Sequence, residues 1–126
     1  MSDVPEMGDL LETEDPGFQQ VLACVFGIQH HESRTYITLL ENPGSTVAEL
    51  ADILERDRSN INRSLTTLMD KGLATRERRL LDSGGYIYQY TATELPKAKE
   101  MLHTALDEWT ERVHKSIEEY GGSDEP

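Results

Sequence analysis

The chain has 126 residues, 37% of them hydrophobic, and its 24 acidic and 12 basic residues give a net charge of −12. This length suits one compact domain with its own core and leaves little chain for a second. Its apolar runs fall far short of the roughly 20 residues needed to cross a bilayer, and its N-terminus lacks the pattern of a signal peptide, so we expect a cytoplasmic protein.

Helical spacing of apolar residues predicts two helices in the first third of the chain. Residues 17–28 place a broad apolar stripe on one helical face, and we expect Asp15 to cap this helix, with Pro16 in its first turn. Residues 31–41 repeat the helical spacing, and the Asn-Pro-Gly sequence at 42–44 is expected to end the second helix.

Two further helices are predicted on either side of a tight turn. Thr46 and Glu49 fit a capping box, in which each side chain satisfies the backbone amide of the other, and the helix they start is expected to end near Glu55. The next helix is predicted over residues 59–70, with Asp57 as its cap. Its buried side is expected to consist of Ile61, Leu65 and Leu68.

The apolar period changes after residue 72. Residues 73–80 and 86–91 are short, rich in β-formers and joined by a loop with two glycines, which predicts a β-hairpin. Residues 93–120 are predicted to form one long helix capped by Thr93. Its apolar seam recurs about every 3.6 residues and consists of Leu95, Ala98, Leu102, Leu106, Trp109, Val113, Ile117 and Tyr120. The seam is longer than the preceding domain can cover, so a partner helix is expected.

Charge is distributed unevenly along the chain. Residues 56–79 hold seven of the twelve basic residues and only three acidic ones, so this basic segment has a net charge of +4 within a chain of −12. We interpret the acidity elsewhere as adaptation to molar salt, where surface carboxylates hold water and hydrated cations. An ordinary acidic cytoplasmic protein is the alternative interpretation.

Three stretches carry a resemblance to a known class of protein. They are TVAELADIL at 46–54, RSNINRSL at 58–65 and LMDKGL at 68–73, the last of them just before the basic hairpin. Together they resemble winged helix-turn-helix transcription regulators of the MarR, PadR and TrmB type, over about residues 30–92. The acidic composition and short length are also similar to those of haloarchaeal stress-response regulators, including the regulator that responds to reactive oxygen species.

The resemblance implies a mainly α fold with a small β-hairpin, a winged helix-turn-helix and a long C-terminal dimerisation helix. The predicted division is a tail over 1–16, a DNA-binding domain over 17–92, a dimerisation helix over 93–120 and a tail over 121–126. The turn between the two motif helices departs from the pattern, since it has Glu55 and Arg56 where these regulators usually have glycine. A non-glycine residue costs roughly 1 kcal/mol in the left-handed conformation, so we expect a different turn geometry.

The outward side of the helix over 59–70 is slim and polar enough to enter a DNA major groove about 12 Å wide. We predict base contacts from Asn60, Asn62, Arg63 and Thr66, and phosphate contacts from Ser59 and Thr67. In the resembling regulators the hairpin, called the wing, lies on phosphates or in the minor groove. This adds Arg76, Arg78 and Arg79 to the predicted DNA-binding residues, and Arg58, just before the helix over 59–70, is predicted to bind DNA as well. The alternatives are a solvated helix face and an edge strand protected by charge.

The long helix is predicted to pair with that of a second copy, so that a homodimer presents two recognition helices to half-sites about one helical turn apart. The predicted interface consists of Phe18, Val25, Leu102, Leu106, Trp109, Val113 and Ile117. A helix folded back as an intramolecular lid is the alternative.

No catalytic, metal or cofactor site is predicted. Cys24 lies on an apolar helix face, which favours a small buried residue over a redox sensor. The four histidines are not spaced to chelate one ion, and the chain has no nucleophile motif or phosphate-binding glycine loop, so we do not expect an enzyme.

Three functions remain open at this point. The first is a regulator that binds double-stranded DNA as a homodimer, and the second is a winged-helix protein-interaction module that does not bind DNA. The third is a regulator that senses an unidentified small-molecule effector in a cleft between the long helix and the winged domain. The basic segment favours the first function over the second.

Overall fold

Six helices and one hairpin form the part of the chain that the structure, a computed structural model, describes, which is residues 5–121. In chain order they are α1 (Met7–Leu11), α2 (Phe18–Phe26), α3 (His30–Glu41), α4 (Val47–Leu54), α5 (Arg58–Asp70), β1 (Ala74–Leu80), β2 (Tyr86–Ala92) and α6 (Leu95–Glu119). The predicted class, mainly α with a small hairpin and a long last helix, is confirmed. No helix within residues 5–121 is both long and apolar enough to cross a membrane.

The core lies where α3, α4 and α5 pack together beneath the hairpin. Tyr36 of α3 is fully buried, and its hydroxyl donates a hydrogen bond to the carbonyl oxygen of Thr93 at 2.7 Å. The predicted buried side of α5 is confirmed, since Ile61, Leu65 and Leu68 are all 0% exposed. Leu22 of α2 and Ala98 and Leu102 of α6 extend the same core.

The capping box predicted at the start of α4 is present. The hydroxyl oxygen of Thr46 accepts from the amide of Glu49 at 3.1 Å, and the carboxylate of Glu49 accepts from the amide of Thr46 at 2.9 Å. At its other end α4 stops at Glu55, whose φ of 53° and ψ of 51° are left-handed. The expectation of a different turn geometry is therefore wrong: Glu55 adopts the conformation that glycine would, because the following backbone must turn directly into α5.

Two predicted helix caps are wrong. Gly17 rather than Asp15 occupies the N-cap of α2, so Pro16 precedes the helix. Glu94 rather than Thr93 is the N-cap of α6. The reason is that Thr93 is used elsewhere: its hydroxyl donates to the Gly72 carbonyl at 2.6 Å, and its amide donates to the Leu73 carbonyl at 2.8 Å.

The hairpin is held against the helices by its second strand. The amide of Tyr90 donates to the Ser45 carbonyl, and the amide of Gly44 donates to the Tyr90 carbonyl, both at 2.8 Å. These bonds attach β2 to the loop that leads into α4. The wing is consequently fixed beside the N-terminus of α4 and the outward side of α5.

The ends of the chain differ in part from the expected tails. The short helix α1 lies inside the stretch 1–16, which was expected to contain no regular element. Residues 1–4 and 122–126 lie outside the described residues. The division of the chain into tails, DNA-binding domain and dimerisation helix stays a prediction.

The left-handed Glu55 predicts that glycine will stabilise the turn. Glu55→Gly should raise the free energy of unfolding by roughly 0.5–1 kcal/mol, because it relieves the left-handed strain at some cost in unfolded-state entropy. Asp52→Gly, on the right-handed exposed part of α4, should lower it by roughly 0.5 kcal/mol. Urea denaturation of both variants measures the difference, and a loss of stability in both would contradict the turn geometry.

Candidate nucleic-acid interface

The outward side of α5 carries all the predicted DNA-contacting residues of that helix. Arg58, Ser59, Asn62, Arg63 and Thr66 are exposed, whereas Asn60 and Thr67 are half-buried at one edge. The burial of the opposite side of α5 fixes this rotation of the helix. A polar surface without large side chains other than Arg58 and Arg63 therefore faces solvent.

Hydrogen bonds within α5 organise part of this surface. The guanidinium of Arg63 donates to the side-chain oxygen of Asn60, one turn earlier. The hydroxyl of Thr66 donates to the backbone carbonyl of Asn62 at 3.0 Å, so its oxygen remains an acceptor and its methyl group is held in place. The side chains of Arg63 and Asn60 therefore lie together, so that the remaining N–H groups of both can donate to a common partner.

The register of the hairpin separates the three predicted wing arginines. Arg76 pairs with Tyr90 and Arg78 with Tyr88, while Arg79 pairs with Ile87. Because successive side chains of a strand point to opposite faces, Arg76 and Arg78 share one face and Arg79 lies on the other. The structure brings two of the three arginines together, not all three.

Two tyrosines that the sequence analysis did not single out stack with these arginines. The guanidinium carbon of Arg76 lies 4.0 Å from the ring centroid of Tyr88, and that of Arg78 lies 5.0 Å from that of Tyr86. The two rings meet edge to face with centroids 5.4 Å apart. We call these four residues the Arg–Tyr face. The alternation of tyrosines in the sequence YIYQY of β2 is the signal that could have identified it.

A groove of about 370 Å³ connects the Arg–Tyr face with α5. It is lined by Thr46, Val47, Ala48, Asn62, Ile87, Tyr88 and Tyr90. Asn62 of α5 and Tyr88 of the wing therefore lie on two sides of one groove. Arg76 stacks on the ring of this Tyr88. The outward side of α5 and the Arg–Tyr face form a continuous surface.

A second groove, of about 390 Å³, lies along the other edge of α5, and we call it the Arg56 pocket. It is lined by Gln29, His31, Glu32, Arg56, Asn60, Arg63 and Thr67. The Nδ1 atom of His31 lies 3.2 Å from the hydroxyl of Ser64, and its Nε2 atom hydrogen-bonds the side chain of Gln29. The sequence analysis missed His31 and Arg56 as members of this surface because the residues come together from distant parts of the chain.

The pKa of His31 is lowered by its surroundings. Burial of the ring is the main cause, and repulsion from Arg56 and Arg63 adds to it, while Glu32 acts in the opposite direction. The His31 ring is therefore neutral near pH 7. Its hydrogen bond to α5 is the one with the Ser64 hydroxyl.

Within the part of the chain that the structure describes, the cations of this surface have no carboxylate partners. Within residues 5–121 the ion pairs are Lys97–Glu100 and Lys115–Glu119, both on α6. Asp57 and Asp70 are exposed at the two ends of α5, and Glu77 is exposed on the face of the hairpin opposite Arg76 and Arg78. Among the described residues, none of these carboxylates lies at ion-pair distance from an arginine. The arginines of α5 and of the wing are consequently available to an anionic partner.

The predicted dimer residues of α6 differ in burial. Leu102 is buried, whereas Trp109 and Val113 are half-buried, Leu106 is 37% exposed and Ile117 is 62% exposed. Near its N-terminal end α6 forms an apolar groove of about 250 Å³ with α2. That groove is lined by Phe18, Val21, Val25, Lys99, Leu102, His103 and Leu106.

Cys24 is only 4% exposed, as expected for a small core residue. Burial raises the pKa of its thiol, and the nearby carboxylate of Asp9 raises it further. Both effects disfavour the reactive thiolate.

Comparison with known proteins places the chain among regulators. Residues 22–95 match the family model for the sugar-specific transcriptional regulator TrmB. The chain is 33% identical to the uncharacterized protein MJ1503 of Methanocaldococcus jannaschii over 102 residues, which cover 81% of this chain and 77% of that protein.

Solved structures are similar in fold. A possible transcriptional regulator from Methanosarcina mazei Go1 superposes with a TM-score of 0.74 at 22% identity, over 81% of this chain and 87% of that one. A MarR transcriptional regulator from the same organism gives a TM-score of 0.50 at 24% identity, over 72% of this chain and 65% of that one. These likenesses confirm the predicted winged-helix architecture.

The lowered pKa of His31 predicts a pH dependence of stability. The unfolded chain, with an ordinary histidine pKa near 6.5, binds the proton more readily than the folded chain. The free energy of unfolding should therefore fall as the pH drops below 6.5. His31→Asn should remove this part of the dependence, while His30→Asn, at the exposed neighbouring position, should retain it. Urea denaturation across this pH range would contradict the assignment if both variants kept the wild-type slope.

Proposed function

The chain belongs to the TrmB family of transcriptional regulators, whose model covers residues 22–95, and on that premise we propose that it binds double-stranded DNA as a homodimer. The observation that carries this proposal is the continuous surface of α5 and the Arg–Tyr face, whose arginines have no carboxylate at ion-pair distance among the residues the structure describes. A cationic surface of this kind attracts the phosphate backbone. It stands out in a chain whose net charge is −12.

The residues have distinct proposed roles. Asn60, Asn62, Arg63 and Thr66 contact base edges in the major groove, where amide groups suit adenine and guanidinium groups suit guanine. Arg58, Ser59 and Thr67 contact phosphates at the edges of the same groove. These roles are supported by the outward position of all seven side chains on α5.

The wing makes the second part of the proposed DNA contact. Arg76 and Arg78 bind the backbone or the minor groove, and the stacked Tyr86 and Tyr88 rings hold their guanidinium groups in place. Arg79 is proposed to contribute less, since it lies on the opposite face of the hairpin.

A protein-interaction module without DNA binding is the competing function. Such a module would bind its protein partner through the acidic surface. Unpaired arginines beside a slim polar helix would then have no role. The small-molecule effector of the third hypothesis is less well supported. The apolar groove between α2 and α6 measures about 250 Å³, and the larger groove of about 370 Å³ beside Phe26 is lined mostly by exposed residues of α6. Pockets for drug-sized ligands measure roughly 300–1,000 Å³, so we assign the groove between α2 and α6 to the dimer interface.

The dimer is proposed to form through α6 and α2. Leu106, Ile117 and Tyr120 continue the buried positions of α6 at helical spacing, and their exposure rises toward the C-terminal end to 91% at Tyr120. A second copy would cover this seam with its own, since a two-fold interface uses the same patch on both chains. The groove with Phe18 and Val25 is continuous with the seam through Leu102 and Leu106.

Two finer parts of the proposal concern conditions and signal. The acidic composition supports work in molar salt, as in haloarchaeal cells. The proposed role in stress response rests on the resemblance to haloarchaeal stress-response regulators alone. Direct sensing of an oxidant by Cys24 is not part of the proposal, because the thiol is buried and its pKa is raised.

Removing single arginines tests DNA binding directly. In a band-shift assay with the promoter of its own gene, Arg63→Ala should cost about 1–3 kcal/mol of binding and relax base preference. Arg76→Ala should weaken binding to all sequences alike, and Arg112→Ala, exposed on α6, should have no effect. If neither Arg63→Ala nor Arg76→Ala changes DNA binding, the result would favour the protein-interaction module over the DNA-binding regulator.

A charge placed in the seam tests the homodimer. The wild-type chain should elute in light-scattering chromatography with twice the mass of one chain. Val113→Asp should give a monomer because it buries an unpaired carboxylate in the proposed interface, whereas Arg112→Asp, at the adjacent exposed position, should remain dimeric. A monomeric wild type would contradict the proposed interface.

Salt dependence tests the adaptation to molar salt. DNA affinity should stay nearly constant or rise from low to molar potassium chloride, because exposed Asp57, Asp70 and Glu77 take up cations and offset counterion release. Replacing these three residues with their amides should restore an ordinary steep loss of affinity. A steep loss in the wild type would refute the adaptation.

A further inference from the structure

We propose that the Arg56 pocket binds a phosphate-type oxyanion, supplied either by the DNA backbone or by free phosphate. The first source rests on the DNA binding proposed above, and the second is independent of it. Neither the predicted DNA-contacting residues nor the family comparison includes Arg56, His31 or Gln29 in a binding site.

The first argument is an unsatisfied donor. The Nη1 atom of Arg56 is fully enclosed and has no hydrogen-bond partner in the described structure, although the backbone amide of the same residue donates to Ala51 at 3.0 Å. A buried charged donor without an acceptor is unfavourable and calls for an explanation, one of which is a bound anion. Arg56 as a whole is half-buried and lines the neighbouring pocket, so the rest of its side chain can be reached from that pocket by a ligand that accepts hydrogen bonds.

The second argument is uncompensated positive charge. Arg63 lines the same pocket as Arg56, and within residues 5–121 neither guanidinium lies at ion-pair distance from a carboxylate. Glu32, the one acidic residue of the lining, already accepts a hydrogen bond from the backbone amide of Gln29 at 2.8 Å. The repulsion that both arginines exert on the His31 proton, which helps to lower its pKa, indicates the same local positive potential.

The third argument is the match between donors and ligand. Two guanidinium groups offer forked donors that suit the oxygens of a phosphate. The Thr67 hydroxyl and the Asn60 amide line the same wall and add neutral donors. All seven lining residues carry a polar or charged group, which suits a small hydrated oxyanion better than an apolar effector.

The position of the pocket makes a DNA phosphate a suitable occupant. Asn60, Arg63 and Thr67 belong both to the pocket and to the outward side of α5. The groove with the wing lies along the Asn62 edge of α5, and the Arg56 pocket lies along the opposite edge. A helix in a major groove has a phosphate backbone on each side, so each groove would face one strand.

The test compares Arg56→Gln and Arg56→Lys with Arg112→Gln in the full chain. One arm measures the thermal midpoint in sodium phosphate and in sodium chloride of equal ionic strength. The other arm measures affinity for promoter DNA and for unrelated DNA at several salt concentrations. Circular dichroism checks that each variant is folded, and Arg56→Lys keeps the charge while removing the forked donors.

A DNA phosphate in the pocket predicts that Arg56→Gln loses roughly tenfold in affinity on both DNAs alike. The slope of log affinity against log salt should change by about 0.9, the value for one lost phosphate contact. Arg56→Lys should lose less affinity and keep the wild-type slope, and Arg112→Gln should match the wild type.

If free phosphate fills the pocket instead, sodium phosphate should raise the thermal midpoint of the wild type above its value in sodium chloride. It should not raise the thermal midpoint of Arg56→Gln. The phosphate effect and the DNA effect together would show a general oxyanion site that either source can fill. If neither effect occurs while wild-type protein binds promoter DNA, the pocket proposal is overturned and the proposed function stands. If the wild type binds no DNA, the proposed function fails, and the phosphate arm alone decides whether the pocket binds an oxyanion.

Discussion

The fixed rotation of α5 is the constraint on which the rest of the structure depends. Ile61, Leu65 and Leu68 are fully buried against the neighbouring helices and strand, so the helix cannot turn about its axis without exposing them. The hydrogen bond between His31 and Ser64 holds the same side of α5 to α3. The side chains left outside are short and polar, apart from the exposed arginines, and this is the shape that a DNA groove accepts.

The second constraint is the attachment of the hairpin. A hairpin of two strands is marginal in water by itself, and here backbone bonds from Tyr90 to residues 44 and 45 fix it beside α4. Thr93 completes the attachment, since it binds the end of α5 and accepts from Tyr36. The wing arginines therefore keep one position relative to α5, so the wing and α5 can contact the same DNA molecule.

Local features of the fold could be predicted from the sequence, and features that depend on distant residues could not. The capping box of Thr46 and Glu49 is local, and its prediction is confirmed. The predicted cap at Thr93 is wrong because its hydroxyl bonds to Gly72, 21 residues away. The separation of Arg79 from Arg76 and Arg78 follows from strand alternation and could have been predicted, whereas His31 meets Ser64 only across 33 residues of chain.

The central claim is that one surface, made of α5 and the Arg–Tyr face, contacts DNA. Nuclear magnetic resonance of the ¹⁵N-labelled protein, titrated with promoter DNA, tests it most directly. Amide shifts should concentrate in Arg58–Asp70 and in both strands of the wing, with small changes along the acidic part of α6. Shifts confined to α6, or no shifts at saturating DNA, would contradict it.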